Sequence, residues 1–307
     1  MTTPVIGPDI EKQLRWADVL DALEAGHRMP RAEIADSFLY RGADTLLSRA
    51  AWINGMGSLV KTALVFRDNR ARGLPNVNGG VSLFSDQSGL LEALVDFHLV
   101  TKWKTAGDSL LATSRLARPD SRAITLVGAG AVARSMHAAY RSLFPDARFT
   151  VWNRSPDPAQ AMARELPNCS AATDLQAAVT DADIICTATM SKTPILQGDW
   201  LRPGQHIDLI GAYRPDMREA DDVALTRAAL FVDSIDTTLD HIGELKDPLA
   251  RGVIQRQDIR ADFYGIADDS FSRPAPDAIT LCKNGGGAHL DLMVSRYILD
   301  KWRASQG

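Results

Sequence analysis

The chain has little cysteine, no marked excess of charge and no long apolar run, and each shortage removes a class of protein. Three cysteines among 307 residues, Cys169, Cys186 and Cys282, are an odd number without metal-like spacing. They argue against a disulfide framework and against a metal site. Cys186 and Cys282, flanked by apolar strand residues, read as core thiols. A formal net charge of −4 offers no basic surface for nucleic acid or an acidic membrane. No apolar stretch approaches the ~18 residues of a transmembrane helix. No basic segment followed by an apolar run opens the chain, so no secretory signal is expected. The elements G-x-S-x-G and H-E-x-x-H and a P-loop lysine are missing, as are internal repeats and low-complexity segments. The six histidines, His27, His98, His137, His206, His241 and His289, show no ligand spacing, and only His98 and His289 merit inspection as proton donors. What remains is ordinary: 45% hydrophobic and 23% charged residues, in a length that suits one large or two medium domains. A cytoplasmic protein of enzyme size is the expectation.

The hydrophobic pattern divides the chain. Residues 10–25 carry Ile10, Leu14, Val19, Leu20 and Leu23 at helical spacing. From Asp36 to Phe66 the pattern is that of strands, with turn chemistry at Gly42-Ala-Asp44 and Asn54-Gly-Met-Gly57. Residues 67–80 read as a loop, and Val81–Phe84 and Leu90–Phe97 as two further strands. A helical period runs from Thr101 to about Ala117, and the polar Arg118-Pro-Asp-Ser121 marks a domain joint. Strands at Ile124–Val127, Phe149–Trp152, Ile184–Thr187, His206–Ile210 and Leu230–Asp233 then alternate with helices at Pro156–Glu165 and Asp174–Val179. This is the signature of a doubly wound parallel sheet. A strand at Ile279–Lys283 precedes a last helix to about Ala304, whose stripe of Leu290, Met293, Val294, Tyr297, Ile298 and Trp302 has no partner nearby. That helix is expected to return to the N-terminal domain. The fold class is therefore α/β, with a dinucleotide-type domain at 119–284 and an α+β antiparallel domain at 1–118 with 285–307.

The strand Ile124–Val127 runs into Gly128-Ala-Gly130-Ala131-Val132-Ala133 and then a helix. In this G-x-G-x-x-A turn, Gly128 permits the bend, Gly130 lets a pyrophosphate approach the backbone, and Ala133 packs close to the strand. The helix start favours an anion. After the second strand, where an NAD site commonly offers Asp or Glu for the ribose, the chain has Asn153-Arg154-Ser155. No carboxylate there repels a 2′-phosphate and Arg154 can pair with one, so NADPH is favoured with NADH possible. The competing reading makes Arg154 a solvated turn residue and places the acid elsewhere, for example at Asp157.

Cations outside this domain are candidates for holding an anionic substrate. Lys61 and Arg49 lie inside apolar strands, where a charge is seldom buried without a partner; the alternative is that each faces solvent. Lys102-Trp-Lys104-Thr-Ala-Gly-Asp108 lies at a strand-to-helix transition, where a helix start helps hold an anion. Asp108 serves equally well as a first-turn helix acid.

Several stretches match one family in order: Leu59-Val-Lys61-Thr, Arg72-Gly-Leu-Pro75, Val100-Thr-Lys-Trp-Lys104-Thr-Ala, Val127-Gly-Ala-Gly130, Trp152-Asn-Arg-Ser155, Ala182 to Thr189, and Gly211-Ala-Tyr-Arg-Pro-Asp-Met-Arg-Glu219. Over nearly its whole length the chain resembles the ornithine cyclodeaminase/μ-crystallin family, which includes alanine dehydrogenases and ketimine reductases. The resemblance implies a homodimer joined through the antiparallel domains, with an amino or imino acid between the domains and its carboxylate held by cations. Lys61 matches the family's substrate-binding lysine, and Lys104 stands where an arginine is usual, which keeps the charge but loses the fork. The family's upstream carboxylate-binding arginine has no clear match; Arg41 is near, and Arg49 is a substitute from a neighbouring strand position. The cofactor contacts implied, beside those of the glycine turn and Asn153–Ser155, are Asn76, Lys104, Thr187, Ala188, Thr189, Gly211, Met217 and Asn284.

Tyr213 is the informative departure, because cyclodeaminases hold an aspartate there. A phenol with an ordinary pKa of ~10 is a poor replacement for a carboxylate base. The Ala-Tyr-Arg-Pro form looks more like the ketimine reductases. The expected activity is thus NADPH-dependent reduction of a cyclic 2-imino acid, Δ1-pyrroline-2-carboxylate or its six-membered homologue. Lys61, Arg49 and Lys104 would hold the substrate, and Asp108 or Tyr213 would relay a proton. The alternatives are an ornithine cyclodeaminase, an alanine-type dehydrogenase, or a crystallin-like protein that binds NADPH without turnover.

Overall fold

The computed structural model describes residues 3–306. Met1, Thr2 and Gly307, included above in the N-terminal domain, lie outside the described residues. The elements follow in chain order. The first part comprises β1 (Val5–Ile6), α1 (Trp16–His27), β2 (Glu33–Arg41), β3 (Asp44–Ile53), β4 (Gly57–Val65), β5 (Val77–Phe84), β6 (Leu91–Asp96) and α2 (Phe97–Leu116). Next come β7 (Ala123–Val127), α3 (Ala131–Leu143), β8 (Arg148–Trp152), α4 (Pro156–Glu165), β9 (Cys169–Ala172), α5 (Leu175–Asp181) and β10 (Ile184–Thr187). The remainder is β11 (His206–Leu209), α6 (Asp222–Arg227), β12 (Ala229–Val232), α7 (Ile235–Thr238), α8 (Gly243–Ala250), β13 (Ile259–Ala261), β14 (Thr280–Lys283) and α9 (Ala288–Ala304). Two compact units result: Met1–Lys104 with Gly287–Gly307, and Thr105–Gly286. The division falls inside α2, whereas the polar joint at 118 falls after it, because a continuous helical period carries no mark of where its neighbours change.

The first unit holds a six-stranded sheet in the order β1-β6-β5-β4-β3-β2, antiparallel except for the β1–β6 pair. The strand β3 is unbroken through Arg49, and Val77 already belongs to β5, so the loop expected at 67–80 ends four residues earlier. α9 packs on α1 and on the β3–β4 face of the sheet, which gives its apolar stripe the partner its own neighbourhood lacked. α2 starts at Phe97, one turn before Thr101, because Asp96 accepts the Leu99 N–H at 2.7 Å and caps the helix. Lys102 and Lys104 therefore do not stand at the helix start, and the anion position there is taken by Asp96.

The second unit is an eight-stranded, wholly parallel sheet in the order β13-β12-β14-β11-β10-β7-β8-β9. Its central strands β7, β10 and β11 are buried throughout, as parallel strands covered on both faces are. The chain runs outward from β7 through β8 to β9, then returns to β10 on the other side of β7. The β7/β10 boundary is thus a topological switch point, where α/β sheets bind ligands beyond their carboxyl ends. The two strands absent from the sequence pattern, β9 and β13, are its edges and only four and three residues long.

Candidate cofactor and substrate-binding sites

The turn after β7 has the geometry its glycines suggest. Gly128 has φ +112°, and a Cβ there would face the Ala188 carbonyl oxygen at 2.7 Å. Its N–H donates to Trp152 O at 2.8 Å, which ties the turn to the end of β8. Gly130 is the N-cap of α3 and differs: its φ of −83° suits any residue, and a Cβ would meet no protein atom within 4 Å. No side chain caps α3, and Ala131 and Val132 are exposed. The first N–H groups of a 13-residue helix therefore point to an open, side-chain-free surface. That is a fit for a pyrophosphate, and Ala133, fully buried against the strand, brings the helix close.

At the end of β8, the Asn153 side-chain amide donates to Ser155 O at 2.9 Å and shapes the turn that presents Arg154. Arg154 and Ser155 are exposed, and the Arg154 guanidinium has no hydrogen bond or ion pair among the described residues. Asp157 is an exposed acid in the first turn of α4, where the helix start itself accounts for it.

A residue not singled out by sequence, Glu219, organises the next two strand ends. Its carboxylate accepts from the Thr189 N–H and hydroxyl, both at 2.7 Å, from Gly211 N at 2.7 Å and from Ala212 N at 3.1 Å. The loops after β10 and β11 are thereby drawn onto one fully buried carboxylate. Glu244 of α8 accepts the N–H groups of Glu219 and Ala220 at 2.7 and 3.0 Å and braces it from behind. Burial, and then the Glu219 charge, push the Glu244 carboxyl up to about 7, against the pull of Lys283. The available signal was a carboxylate closing a Gly/Ala/Pro loop.

The other expected cofactor residues divide. Thr187 is fully buried at the end of β10, with no hydrogen-bond partner for its hydroxyl among the described residues; Ala188 and Thr189 are half-buried. Met217 is 1% exposed and packs with Ala212 and Ile242, so it shapes the loop from within. Asn284 does not present its amide outward. It is 2% exposed, donates to Ser109 Oγ at 2.6 Å and Asp208 Oδ1 at 3.4 Å, and accepts from Cys282 Sγ at 3.3 Å. It braces the end of β14. Tyr213 is 55% exposed on the loop after β11, and Asp108 is fully buried in α2. Among the other inspected groups, Asn76 is half-buried just before β5, and His98 is exposed. His289 is buried, its imidazole pushed well below its usual pKa by burial and by the charges of His27, Lys104, Arg49 and Arg31.

In the first unit, strand register assembles the candidate substrate cations. Asp36, Arg49 and Lys61 stand opposite one another on β2, β3 and β4. Two cations directly opposite destabilise a sheet by roughly 0.2–1 kcal/mol unless acids intervene. Here two acids do. Asp36 takes the Arg49 fork, with Nη2 at 2.7 Å and Nε at 3.3 Å. Asp291, fully buried on α9, accepts from Lys61 Nζ at 2.7 Å and lies 3.9 Å from Arg49 Nη1. Lys61 also donates to Thr101 Oγ1 at 2.8 Å, and its Nζ lies 4.8 Å from the Phe97 ring.

Lys61 is therefore not on the solvent face: it is 5% exposed. Burial lowers its pKa to about 8; Asp291 opposes that, and Lys104 and Arg49 add to it. Burial raises the Asp291 carboxyl, but Lys61, Lys104 and Arg49 outweigh burial and hold it below its ordinary value. Lys104 is 8% exposed and has no hydrogen bond or ion pair among the described residues. Three cations thus surround one carboxylate, and the local excess of positive charge suits an anionic ligand. Arg41 is not part of this cluster. It pairs with Asp44 and covers Phe66, five residues along β2 from Asp36 and so roughly 16 Å away along the strand.

Comparisons with known proteins identify the family and the fold. Residues 54–306 match the model of the ornithine cyclodeaminase/mu-crystallin family. The chain is 49% identical over 296 residues to the Delta(1)-pyrroline-2-carboxylate reductase of Paracoccus denitrificans, covering 94% of each chain. It is 32% identical over 248 residues to the rat ketimine reductase mu-crystallin, covering 80% of this chain and 76% of the relative. Among solved structures, the Thermococcus litoralis Delta(1)-pyrroline-2-carboxylate reductase in complex with NADH and L-proline superposes with a TM-score of 0.91 at 24% identity, covering 99% and 98% of the two chains.

Proposed function

Because the chain belongs to the ornithine cyclodeaminase/mu-crystallin family, we propose that it reduces a cyclic 2-imino acid with NADPH, converting Δ1-pyrroline-2-carboxylate to proline. The observation that carries this reading is the 49% identity, over 94% of each chain, with a reductase of that substrate. The chain is an oxidoreductase acting on a carbon–nitrogen double bond. The nicotinamide supplies the hydride when bound. Its pyrophosphate is held by Gly130 and the α3 N-terminus, with Thr189 and Gly211 kept in place by Glu219. The Thermococcus protein was solved with NADH, so a nicotinamide dinucleotide suits the fold. The preference for NADPH rests on the exposed Arg154, beside which neither Asn153 nor Ser155 repels a 2′-phosphate.

The substrate is an anion at its carboxylate and takes a hydride at the adjacent carbon. Lys104 holds the carboxylate with Lys61 beside it, and Arg49, its fork closed on Asp36, keeps the surroundings positive. A cationic cluster favours the unprotonated imine over the iminium, so a side chain must deliver the proton. Tyr213, a 55% exposed phenol, stands where a cyclodeaminase needs an acid, which favours reduction over ammonia loss. Homodimer formation through the first unit is supported by Phe38, Leu39 and Tyr40 on edge strand β2, which are 49%, 66% and 73% exposed.

The test is consumption of NADPH and of NADH with five- and six-membered cyclic imino acids, with ornithine as control. Turnover of the five-membered imine with NADPH preferred is expected. Ammonia release from ornithine would make the protein a cyclodeaminase, and tight NADPH binding without turnover of either imine would make it a binding protein.

A further inference from the structure

The Lys61 ammonium has three N–H bonds, and the protein accounts for two of them. One goes to Asp291 Oδ1 at 2.7 Å and one to Thr101 Oγ1 at 2.8 Å. The Thr101 hydroxyl is oriented to accept, because its own proton goes to Phe97 O at 2.7 Å. The Phe97 ring closes a further side of the nitrogen. A group built only to attract a carboxylate would need none of this, since an ammonium on a flexible stem finds an anion by itself. Here a fully buried acid, supplied from the far end of the chain, fixes the nitrogen.

We propose that Lys61 is the proton donor to the substrate nitrogen and that Asp291 is the residue that positions it and keeps it charged. This rests on the imine reductase reading above. As hydride arrives at the imine carbon, the C=N π pair moves to nitrogen, a new N–H bond forms there and the Lys61 Nζ–H bond breaks. Lys61 is left as a neutral amine and regains a proton from water after the amino acid leaves. The charged groups facing Nζ are Asp291 from α9, Lys104 from α2 and Arg49 from β3. Two of these are cations and both help expel the proton toward the substrate. Asp291 alone opposes them, so its charge sets the pH at which Lys61 is still loaded. With the Lys61 pKa lowered to about 8, the proton is mobile in the range where a cyclic imine needs it.

The experiment is the pH dependence of kcat and kcat/KM from pH 6 to 10 with Δ1-pyrroline-2-carboxylate and NADPH, for the unchanged enzyme, Asp291→Asn and Lys61→Arg. The unchanged enzyme should lose activity above pH about 8. Asp291→Asn should move that limit down by at least one pH unit. Its activity should fall at least fivefold at pH 8 but less than threefold at pH 6. A residue with only a structural role would lower the whole profile without moving it, and that result would overturn the proposal. Lys61→Arg keeps the charge but binds its proton too tightly to give it up. It should hold KM within a fewfold and lose at least a hundredfold in kcat; a normal kcat would overturn the proposal whether or not Asp291→Asn folds. Titration of the Lys61 15N resonance gives a second readout without turnover, expected near pH 8 and lower in Asp291→Asn. No turnover of any cyclic imino acid by the unchanged enzyme would sink the reading of the reaction, whereas turnover with a flat profile to pH 10 would sink this inference alone.

Discussion

The Gly211 N–H donates to the Glu219 carboxylate at 2.7 Å, and a side chain at Gly211 would collide with that same carboxylate and with the Thr189 backbone. Glu219→Gln turns one acceptor oxygen into an amide donor that faces N–H groups. At least one buried donor loses its partner, at a cost of roughly 1–3 kcal/mol. The expected result is a melting point lower by several degrees together with a KM for NADPH raised at least fivefold, while KM for the imino acid stays within twofold. Thermal unfolding and steady-state kinetics on the same preparation check both.

Gly130→Ser separates binding from folding. The position has an ordinary φ and open space around it, so stability should change by less than about 0.5 kcal/mol. The added side chain would occupy the approach of the pyrophosphate, and the dissociation constant for NADPH should rise at least tenfold. Fluorescence titration beside a denaturant melt measures both, and unchanged affinity would move the pyrophosphate away from this turn.

Arg154→Glu addresses the choice of dinucleotide. Its exposed guanidinium has no protein partner among the described residues, so the substitution should leave the fold intact. KM for NADPH should rise tenfold or more, with KM for NADH changed less than threefold. Equal effects on both cofactors would remove the argument for a 2′-phosphate at this turn.

Glu244 predicts how stability varies with pH. Its carboxyl is raised from the unfolded value near 4.5 to about 7. The folded state therefore binds the proton more tightly. Its contribution is fully present below pH 4.5 and is lost as pH rises from there through 7, by on the order of 3 kcal/mol. In Glu244→Gln that slope should vanish, so the difference in unfolding free energy between variant and parent should shift toward the variant as pH rises from 5 to 7.5. Urea melts across this range would show it, and parallel curves would refute it.

Local features were legible in the chain and distant partnerships were not. The strand–turn–helix around Gly128 and Gly130 is contiguous, and Pro156–Glu165 carries its own start signal, so both were readable within a window of residues. Lys61 and Arg49 were visible as cations in apolar strands, but their acids were not. Asp36 depends on the β2–β3 register, and Asp291 lies 230 residues from Lys61. One trace of Asp291 does exist: it falls in step with Val294, Ile298 and Trp302, an acid on the apolar stripe of a helix. The compact units divide inside α2, between Lys104 and Thr105, where an unbroken helical period leaves no mark, and β9 and β13 at the sheet's edges were too short to show a period.

The return of α9 to the first unit has a consequence for biosynthesis. While the ribosome is still at work, Arg49, Lys61 and Lys104 all emerge well before the carboxylate that pairs with Lys61, which follows Lys104 by 187 residues. The second unit is complete in sequence before Asp291 exists. The antiparallel unit must wait for α9, with Arg49 held by Asp36 but Lys61 still without its acid. A chain released before α9 would carry the whole sequence of the parallel sheet and its glycine turn while Lys61 lacked the carboxylate that fixes it.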